Sequence, residues 1–535
     1  MAPSIQEIPE ILHEEVGKYT SPVPSSLPRA GVSRYTSYLI FTLCSVVYLL
    51  PFTRLLLRGT DEGTLVYGAT RIIHGQVFAR DFFEVMGPGT FYWLAAFFKL
   101  FGVSFQTERL CLFVTSLGTA LLMYFLSRRI CSRYQALPYI LFVSTSFGAL
   151  WPVISHHADS NFFALLSVAC VVVWHDTRRH HMLLAAGVMA AVTTCVLQPK
   201  GMFLMVAILL WLAVQKQRRF ERLSAMGLVV ASYCWVIGLV LFYFWSQGAL
   251  RDLFYANVVW PSHHYGAVNA VPYAQGILQY WNHWAVPVNG VRLLIWLAPL
   301  TIAPFLLVAA LPVMLFLLGF PRLMKQHKPE ILLYWLCGWA LWLSEIHRKD
   351  LGHLVVGSSL LIILCIYFLT QCRGRIADSA LQLLTISSCT LAAVNLLILA
   401  TAHTVPTRSG SVAMFQPDPV IAFLDQHTAP GDEIFTYPYC PKYYSLTSTE
   451  NPTRYSLLIY NYNTPSQFYE TIQVLDQHKV KYVVWDTHRE ALASLFPAST
   501  RIPARGLLME PYLESHYRQV QLLDGVRIME RKNDH

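Results

Sequence analysis

Charged side chains are scarce in this 535-residue chain. Asp, Glu, Lys and Arg make up 13% of it, about half the roughly 25% usual for soluble domains. With 55% hydrophobic residues, 13% aromatics and a mean hydropathy of +0.42, that scarcity argues against a water-soluble enzyme and points to the bilayer. Paired cysteines are missing too. The eleven cysteines include no Cys-x-x-Cys, most stand singly in apolar runs (Cys44, Cys170, Cys195, Cys234, Cys365, Cys389), and the segment after residue 402 holds only Cys440. This argues against a disulfide framework and against a thiolate zinc site. No short apolar core with a small-residue cleavage site precedes the first long apolar run. Residues 1–35 are polar and proline-containing, which predicts a cytoplasmic tail rather than a cleaved leader. A convincing internal repeat, common in transporters, is absent as well.

What is abundant is apolar sequence. A hydrocarbon core about 30 Å thick takes roughly 20 apolar residues per helical crossing. Runs near 36–57, 108–127, 136–152, 160–175, 182–198, 200–215, 223–245, 292–318, 332–346, 353–371 and 377–400 predict a polytopic α-helical membrane protein with about eleven spans. The net charge of +9 becomes informative once the charges are placed. Arg128-Arg129 to Arg133, Arg178-Arg179, Lys216 to Arg222, Arg322 to Lys328 and Arg373 to Arg375 lie in short connectors that fall on one side. A side rich in Lys and Arg is the cytoplasmic one. The first loop, 58–107, the segment after residue 246, the stretch IHRKDLGH and everything after 401 then lie outside.

From residue 402 the composition shifts. PDPVIAFLDQHTAPGDEIFTY predicts a helix, a Pro-Gly turn and a strand, and FYETIQVLDQHKVKYVVWDTH repeats helix then strand. YRQVQLLDGVRIMER predicts a hairpin about Asp524-Gly525. Residues 402–535 therefore form a small extracytoplasmic α/β domain beyond a transmembrane domain spanning 36–401.

The first outer loop gathers charge that the rest of the chain avoids. GTDEGTLVYGATRIIHGQVFARDFFEVMGPGTFYW, residues 59–93, carries Asp61, Glu62, Arg71, Arg80, Asp81 and Glu84. Leu65, Ala69, Ile72 and Ile73 share one face at helical spacing, and residues 88–102 are apolar but too short to span. The loop is predicted to be two helices lying at the membrane surface, with Lys99 reaching the headgroups. Acids at a helix start serve as caps and suit the dipole. Capping accounts for one of Asp61 and Glu62; a carboxylate facing a polar cavity can instead deprotonate an acceptor or bind a metal. Arg80-Asp81 reads equally as a structural pair.

Cations for a phosphate are sought on the same outer side. Lys200, in LQPKGMF, is one candidate, contacting a phosphate or a carboxylate. His347, Arg348, Lys349, Asp350 and His353, in SEIHRKDLGHLVV, form the second group, and Arg348 offers bidentate phosphate geometry. His156, His157 and Asp159, in SHHADSN, have the composition of a metal cluster. Adjacent histidines on a helix do not converge on one ion, and no third ligand is evident, so Asp159 is expected to line the outer cavity instead. His263-His264 lies in an aromatic outer loop.

The ordered set Asp-Glu-Gly, a glycine some dozen residues on, Arg-Asp-Phe, Gly-Pro-Gly and an aromatic run, all in the first outer loop, resembles the GT-C membrane glycosyltransferases. It is most similar to bacterial relatives of dolichyl-phosphate-mannose protein mannosyltransferases and to lipid A aminoarabinose transferases. In outline the resemblance covers the whole chain; residue by residue it is concentrated in 61–89. It implies an enzyme of a bacterial inner membrane that moves a sugar from a polyprenyl-phosphate carrier to a glycan, lipid or protein acceptor outside. Nucleic acid has no part in this. It also implies that Asp61 is the catalytic base, Glu62 its companion and Asp81 a second acid. Phosphate leaves without prior protonation, so one base and cations suffice, and direct displacement inverts the anomeric carbon. Need for a divalent metal is left open. The competing readings are a membrane transporter, which would bury charge near the midplane, and a lipid flippase of envelope assembly. An oligosaccharyltransferase is disfavoured because VVWDTH is no WWDYG motif.

Overall fold

The computed structural model describes residues 34–56, 60–131, 133–146, 153–216, 218–268, 271–277, 300–323, 328–372, 374–488 and 502–533, with a few single positions between 492 and 499. Most of the predicted tail 1–35, the end of the 136–152 run and the start of the 292–318 run lie outside the described residues. Residues up to Cys44 form one unit and Ser45–His535 a second.

Each predicted run contains a helix. The order is α1 (Arg34–Leu49), α2 (Thr60–Ile73), α3 (Gly89–Phe101), α4 (Phe105–Ile130), α5 (Leu137–Ser146), α6 (His156–Thr177), α7 (His181–Val196) and α8 (Gln198–Ala213). Then come α9 (Arg219–Ser246), α10 (Leu250–Phe254), α11 (Trp260–Val268), α12 (Ala303–Leu323), α13 (Pro329–Glu345), α14 (Leu351–Gly357), α15 (Ser359–Gln371) and α16 (Arg375–Leu399). Among the described residues six helices are long and apolar enough to cross a membrane, and the pair α14–α15, bent by 71°, has the length and composition of a broken span or a re-entrant loop. α5, α7 and α8 are shorter apolar helices. The chain is a multi-pass membrane protein. The α7–α8 break falls at Leu197, which is extended (φ −142°, ψ 101°) and caps α8, while Pro199 sits in the first turn of α8, where its missing amide costs no helical bond.

The basic connectors gather at one end of the bundle. Arg129 at the end of α4 pairs with Asp176 at the end of α6 (2.6 Å) and reaches Glu330 at the start of α13 (3.4 Å). Trp211 near the end of α8 donates to the carbonyl of Pro329, and Arg322 at the end of α12 contacts Cys372 beyond α15. The opposite helix ends meet α2 and the C-terminal domain.

That domain opens with the hairpin β1 (His403–Thr407) and β2 (Gly410–Met414). Its sheet has the order β3-β4-β6-β5: β3 (Ile434–Tyr437) runs parallel to β4 (Tyr482–Asp486), and β6 (Val526–Arg531) lies antiparallel between β4 and β5 (Tyr517–Leu523). Helices α17 (Pro419–His427), α18 (Lys442–Leu446), α19 (Pro465–Gln477) and α20 (Met509–His516) accompany the strands. Asp524 and Gly525 both take positive φ (46° and 75°), as a two-residue hairpin turn requires. Val420, Leu424, Ile434, Val484 and Ile528 form a core that extends to Tyr67 of α2 and Phe105 of α4.

That extension changes the predicted character of α2. Leu65 and Ala69 are fully buried, as a surface helix would bury them, yet Glu62, Tyr67 and Arg71 on the other faces are buried too. α2 is enclosed between α3 and the C-terminal domain. α3 keeps the predicted one-sided pattern, with Phe91, Leu94 and Phe98 buried and Leu100 and Phe101 exposed.

Candidate functional site

The first loop and the C-terminal domain are joined by a dense set of polar contacts. Tyr67 Oη accepts from Asn451 N (2.7 Å) while its ring stacks on Tyr444. Arg71 donates to the carbonyls of Thr453 and Asp81 (2.9 Å each) and to Gln76 Oε1. Phe83 N donates to the carbonyl of Arg454, and Arg454 returns a bond to the carbonyl of Ala79. The approach is closest at Gly63, where an added Cβ would lie 2.5 Å from Lys442 N and 2.8 Å from its Cα. The glycine of Asp-Glu-Gly therefore lets the domain's backbone rest on the first turn of α2. Gly87 and Gly89 do the same at the end of α7, against the backbone of Cys195 and Val196.

Asp61 stands in that first turn, partly exposed, and the phenol of Tyr439 from the loop after β3 donates to its Oδ1. Burial, and next the charge of Asp61, push the Tyr439 phenol well above its ordinary pKa, so it stays protonated and acts as a donor. Glu84 is the third member. It is buried, near enough to Asp61 to feel its charge, and flanked by Ser456 and Arg71. Burial raises Glu84 to about 8, Ser456 and Arg71 opposing and Asp61 adding to the rise. Its Oε1 has no hydrogen-bond partner among the described residues. Glu84 is thus protonated at neutral pH and can serve as a neutral donor beside Asp61.

Glu62 and Asp81 are placed differently from the expected companions of a base. Glu62 meets Arg109 side by side, Oε1 to one terminal nitrogen and Oε2 to the other at 2.9 Å, and also accepts from Ile154 N at 2.9 Å. Glu108 adds a third carboxylate oxygen to Arg109 at 3.1 Å, and the Arg109 guanidinium lies over the Phe105 ring. Both Glu62 oxygens are engaged in the interior, so its role here is to tie the start of α2 to α4 and to the segment leading into α6. Asp81 pairs with Arg80 on the surface and accepts from Val77 N. The Arg80 bonds hold its carboxyl below the usual range. The structural pairing weighed for Arg80-Asp81 is the one present, and Glu84, three residues on, is the acid beside Asp61.

A second cluster lies at the same end of the bundle. Lys200, in the first turn of α8 and fully buried, is 2.5 Å from Glu345 Oε1 at the end of α13. His157 Nδ1 lies 2.8 Å from Glu345 Oε2, and the His157 ring meets that of His353 edge-on at 4.3 Å. His353 and Arg348 share Asp350, each at 2.8 Å. Asp350 also caps α14, accepting from His353 N. The Arg348 guanidinium sits over the ring of Phe496, which in turn contacts Tyr439. Lys349 is partly buried, and its carbonyl accepts from Ala274 N. Of the two partners expected for Lys200, the carboxylate is the one present.

Of His156, His157 and Asp159, only His157 belongs to a group of side chains close enough to share an ion, and its fellows come from α13 and α14. His157, Glu345 and His353 each bring one ligand atom within 4.8 Å of the others. The Glu345 charge is already met by Lys200 and His157, so the donor set as it stands is an ammonium-centred cluster. Asp159 is buried one turn into α6, beside Thr90 and Thr115. Thr115 also lines a largely apolar cavity with Leu112, Ser155, Ala158, Asn161 and Val356.

Sequence reasoning gave no role to three residues. Glu345 lies within the quoted SEIHRKDLGH stretch but ends an apolar helix. Glu84 was overshadowed by Arg80-Asp81. Tyr439 stands in YPYCPKYY, where nothing marks one tyrosine from its neighbours.

No family model matches the chain, and no curated protein matches it. Solved structures do. ArnT from Cupriavidus metallidurans bound to undecaprenyl phosphate is similar over 94% of this chain and 99% of that one, with a TM-score of 0.55 and 11% identity. The apo state of the same protein gives a TM-score of 0.55 and 10% identity over 93% and 98%. Over nearly its whole length, this chain has the fold of ArnT.

Proposed function

We propose that the protein is a glycosyltransferase of the GT-C type, moving a sugar from a polyprenyl-phosphate carrier to an acceptor on the outer side of the membrane. The observation that carries the reading is the placement of Asp61: a carboxylate at a helix start, beneath a C-terminal domain, in a chain with the fold of a protein crystallised with undecaprenyl phosphate. Asp61 is the base. It takes the proton of an acceptor hydroxyl or amine as that atom attacks the anomeric carbon, and the carrier phosphate leaves from the opposite face with inversion. Glu84, rather than Asp81, is the second acid, protonated at neutral pH and able to donate to a substrate oxygen. Arg348, Lys349 and His353 face the donor phosphate from the α13–α14 turn, while Lys200 fixes Glu345 behind them. Asp159 and the apolar cavity beside it lie towards the carrier. Should a divalent ion be used, His157, Glu345 and His353 are the residues that would hold it, and it would stabilise negative charge there. The gathering of basic connectors at the opposite end of the bundle supports an extracytoplasmic position for this end, in a bacterial inner membrane.

The test is mass spectrometry of lipids extracted from cells producing wild-type protein or Asp61→Asn at matched abundance. The expected result is accumulation of a polyprenyl-phosphate sugar and loss of a surface glycan in the variant. Unchanged lipids and glycans would overturn the assignment, and altered solute uptake with normal lipids would favour a transporter.

A further inference from the structure

We infer that Tyr439 of the C-terminal domain is a positioning residue for Asp61, holding Oδ1 so that Oδ2 receives the acceptor's proton. This rests on the glycosyltransferase reading above. The domain thereby becomes part of the reacting centre rather than an appendage beside it.

The geometry is specific. The Tyr439 side chain is almost wholly buried, and its phenol donates to Asp61 Oδ1. Its ring is held by Phe496 at 5.9 Å. Two residues later the same loop lays Pro441 and Lys442 against Gly63, so the backbone bearing the phenol is seated on the turn bearing the carboxylate. Lys442 itself is engaged by Asp418 at 2.7 Å, which leaves the phenol as the contact this loop makes with Asp61. The other charged or titratable groups around this centre are Glu84 with Arg71 behind it, Tyr462 beside Tyr439, and Glu62, which is paired to Arg109.

A hydrogen bond donated to a carboxylate favours its ionised form and fixes its torsion. Tyr439 therefore holds the first Asp61 oxygen and aims the second. In the transfer step the acceptor O–H or N–H breaks, its proton moves to Asp61 Oδ2, and the acceptor atom bonds to the anomeric carbon. The bond from that carbon to the phosphate oxygen breaks, and its electron pair leaves on the polyprenyl phosphate. The phenol keeps its own proton throughout.

Membranes from Asp61→Asn cells serve as the source of both donor and acceptor. They are permeabilised with detergent and supplied with purified full-length wild-type or Tyr439→Phe protein, and loss of the accumulated lipid-linked sugar is followed by mass spectrometry over a dilution series of those membranes. Tyr439→Phe is expected to lower kcat about tenfold with KM for the lipid-linked donor unchanged, because the phenol touches the base and not the donor. If Tyr439→Phe does not fold, Gly63→Ala, which lifts the loop without altering the phenol, is expected to give the same split. An unchanged kcat, or a loss confined to KM, would overturn the inference while leaving Asp61 as base. Absence of any accumulated donor in Asp61→Asn cells would instead remove the underlying glycosyltransferase reading.

Discussion

Asp61 and Glu62 are adjacent carboxylates with opposite expected phenotypes, and Glu62→Ala separates them. Glu62 and Arg109 side chains are each about 3% exposed, and their two contacts measure 2.9 Å. The same carboxylate satisfies Ile154 N. Removing one member of such a pair leaves an uncompensated buried charge, at a cost of about 3–5 kcal/mol. Glu108, 3.1 Å from Arg109, remains as a partial counter-ion, which places the expectation near the lower value. For a chain of 535 residues that corresponds to a fall in melting temperature of about 3 °C, read by intrinsic fluorescence of the purified protein in detergent. Combining Glu62→Gln, Glu108→Gln and Arg109→Met should restore most of the loss, since no buried charge is then left without a counter-ion. The folded fraction of Glu62→Ala should still consume donor, whereas Asp61→Asn should melt like wild type and not consume it. A Glu62→Ala protein with an unchanged melting temperature and no turnover would refute this reasoning and return Glu62 to the chemistry.

Gly63→Ala should loosen the C-terminal domain, because the new Cβ falls 2.5 Å from a backbone nitrogen that cannot swing aside. Faster limited proteolysis within residues 402–535 of the intact protein is the readout, and protection equal to wild type would contradict it. Glu84, raised to about 8 by burial, binds a proton in the folded state that it releases on unfolding. Stability should therefore decline as pH rises from the unfolded value, near 4.5, to about 8, then level off. Glu84→Gln should flatten that decline, measured as melting temperature against pH, and a variant with the wild-type slope would exclude Glu84 as its source. If Glu84 acts as a neutral donor, wild-type turnover should also fall above about pH 8.

Much of the architecture could be read from residue order. Apolar runs marked the spans because nothing else survives in hydrocarbon, and Asp524-Gly525 marked its hairpin because two left-handed residues are needed there. The basic connectors predicted a common face, and Arg129, Trp211 and Arg322 are found converging at one end. The site was less legible for two physical reasons. A carboxylate's role depends on what approaches it: Asp61 and Glu62 look equivalent in sequence, yet one meets a phenol and the other a buried guanidinium. Partners also come from afar. Glu345 reads as the polar end of an apolar helix until α6, α8 and α14 bring His157, Lys200 and His353 to it.

The bond between Asp61 and Tyr439 joins positions 378 residues apart, and this has a consequence for biosynthesis. A nascent chain is made from its N-terminus, so α2 is synthesised long before the loop that contacts its first turn. Until the last quarter of the protein has emerged and folded, Asp61 lacks its phenol, Tyr67 its stacking partner and Arg71 the carbonyl of Thr453. Contacts of such long sequence separation form late. The carboxylate is consequently assembled into its final setting only when synthesis is finished, and a prematurely ended chain inserts in the membrane without a completed centre.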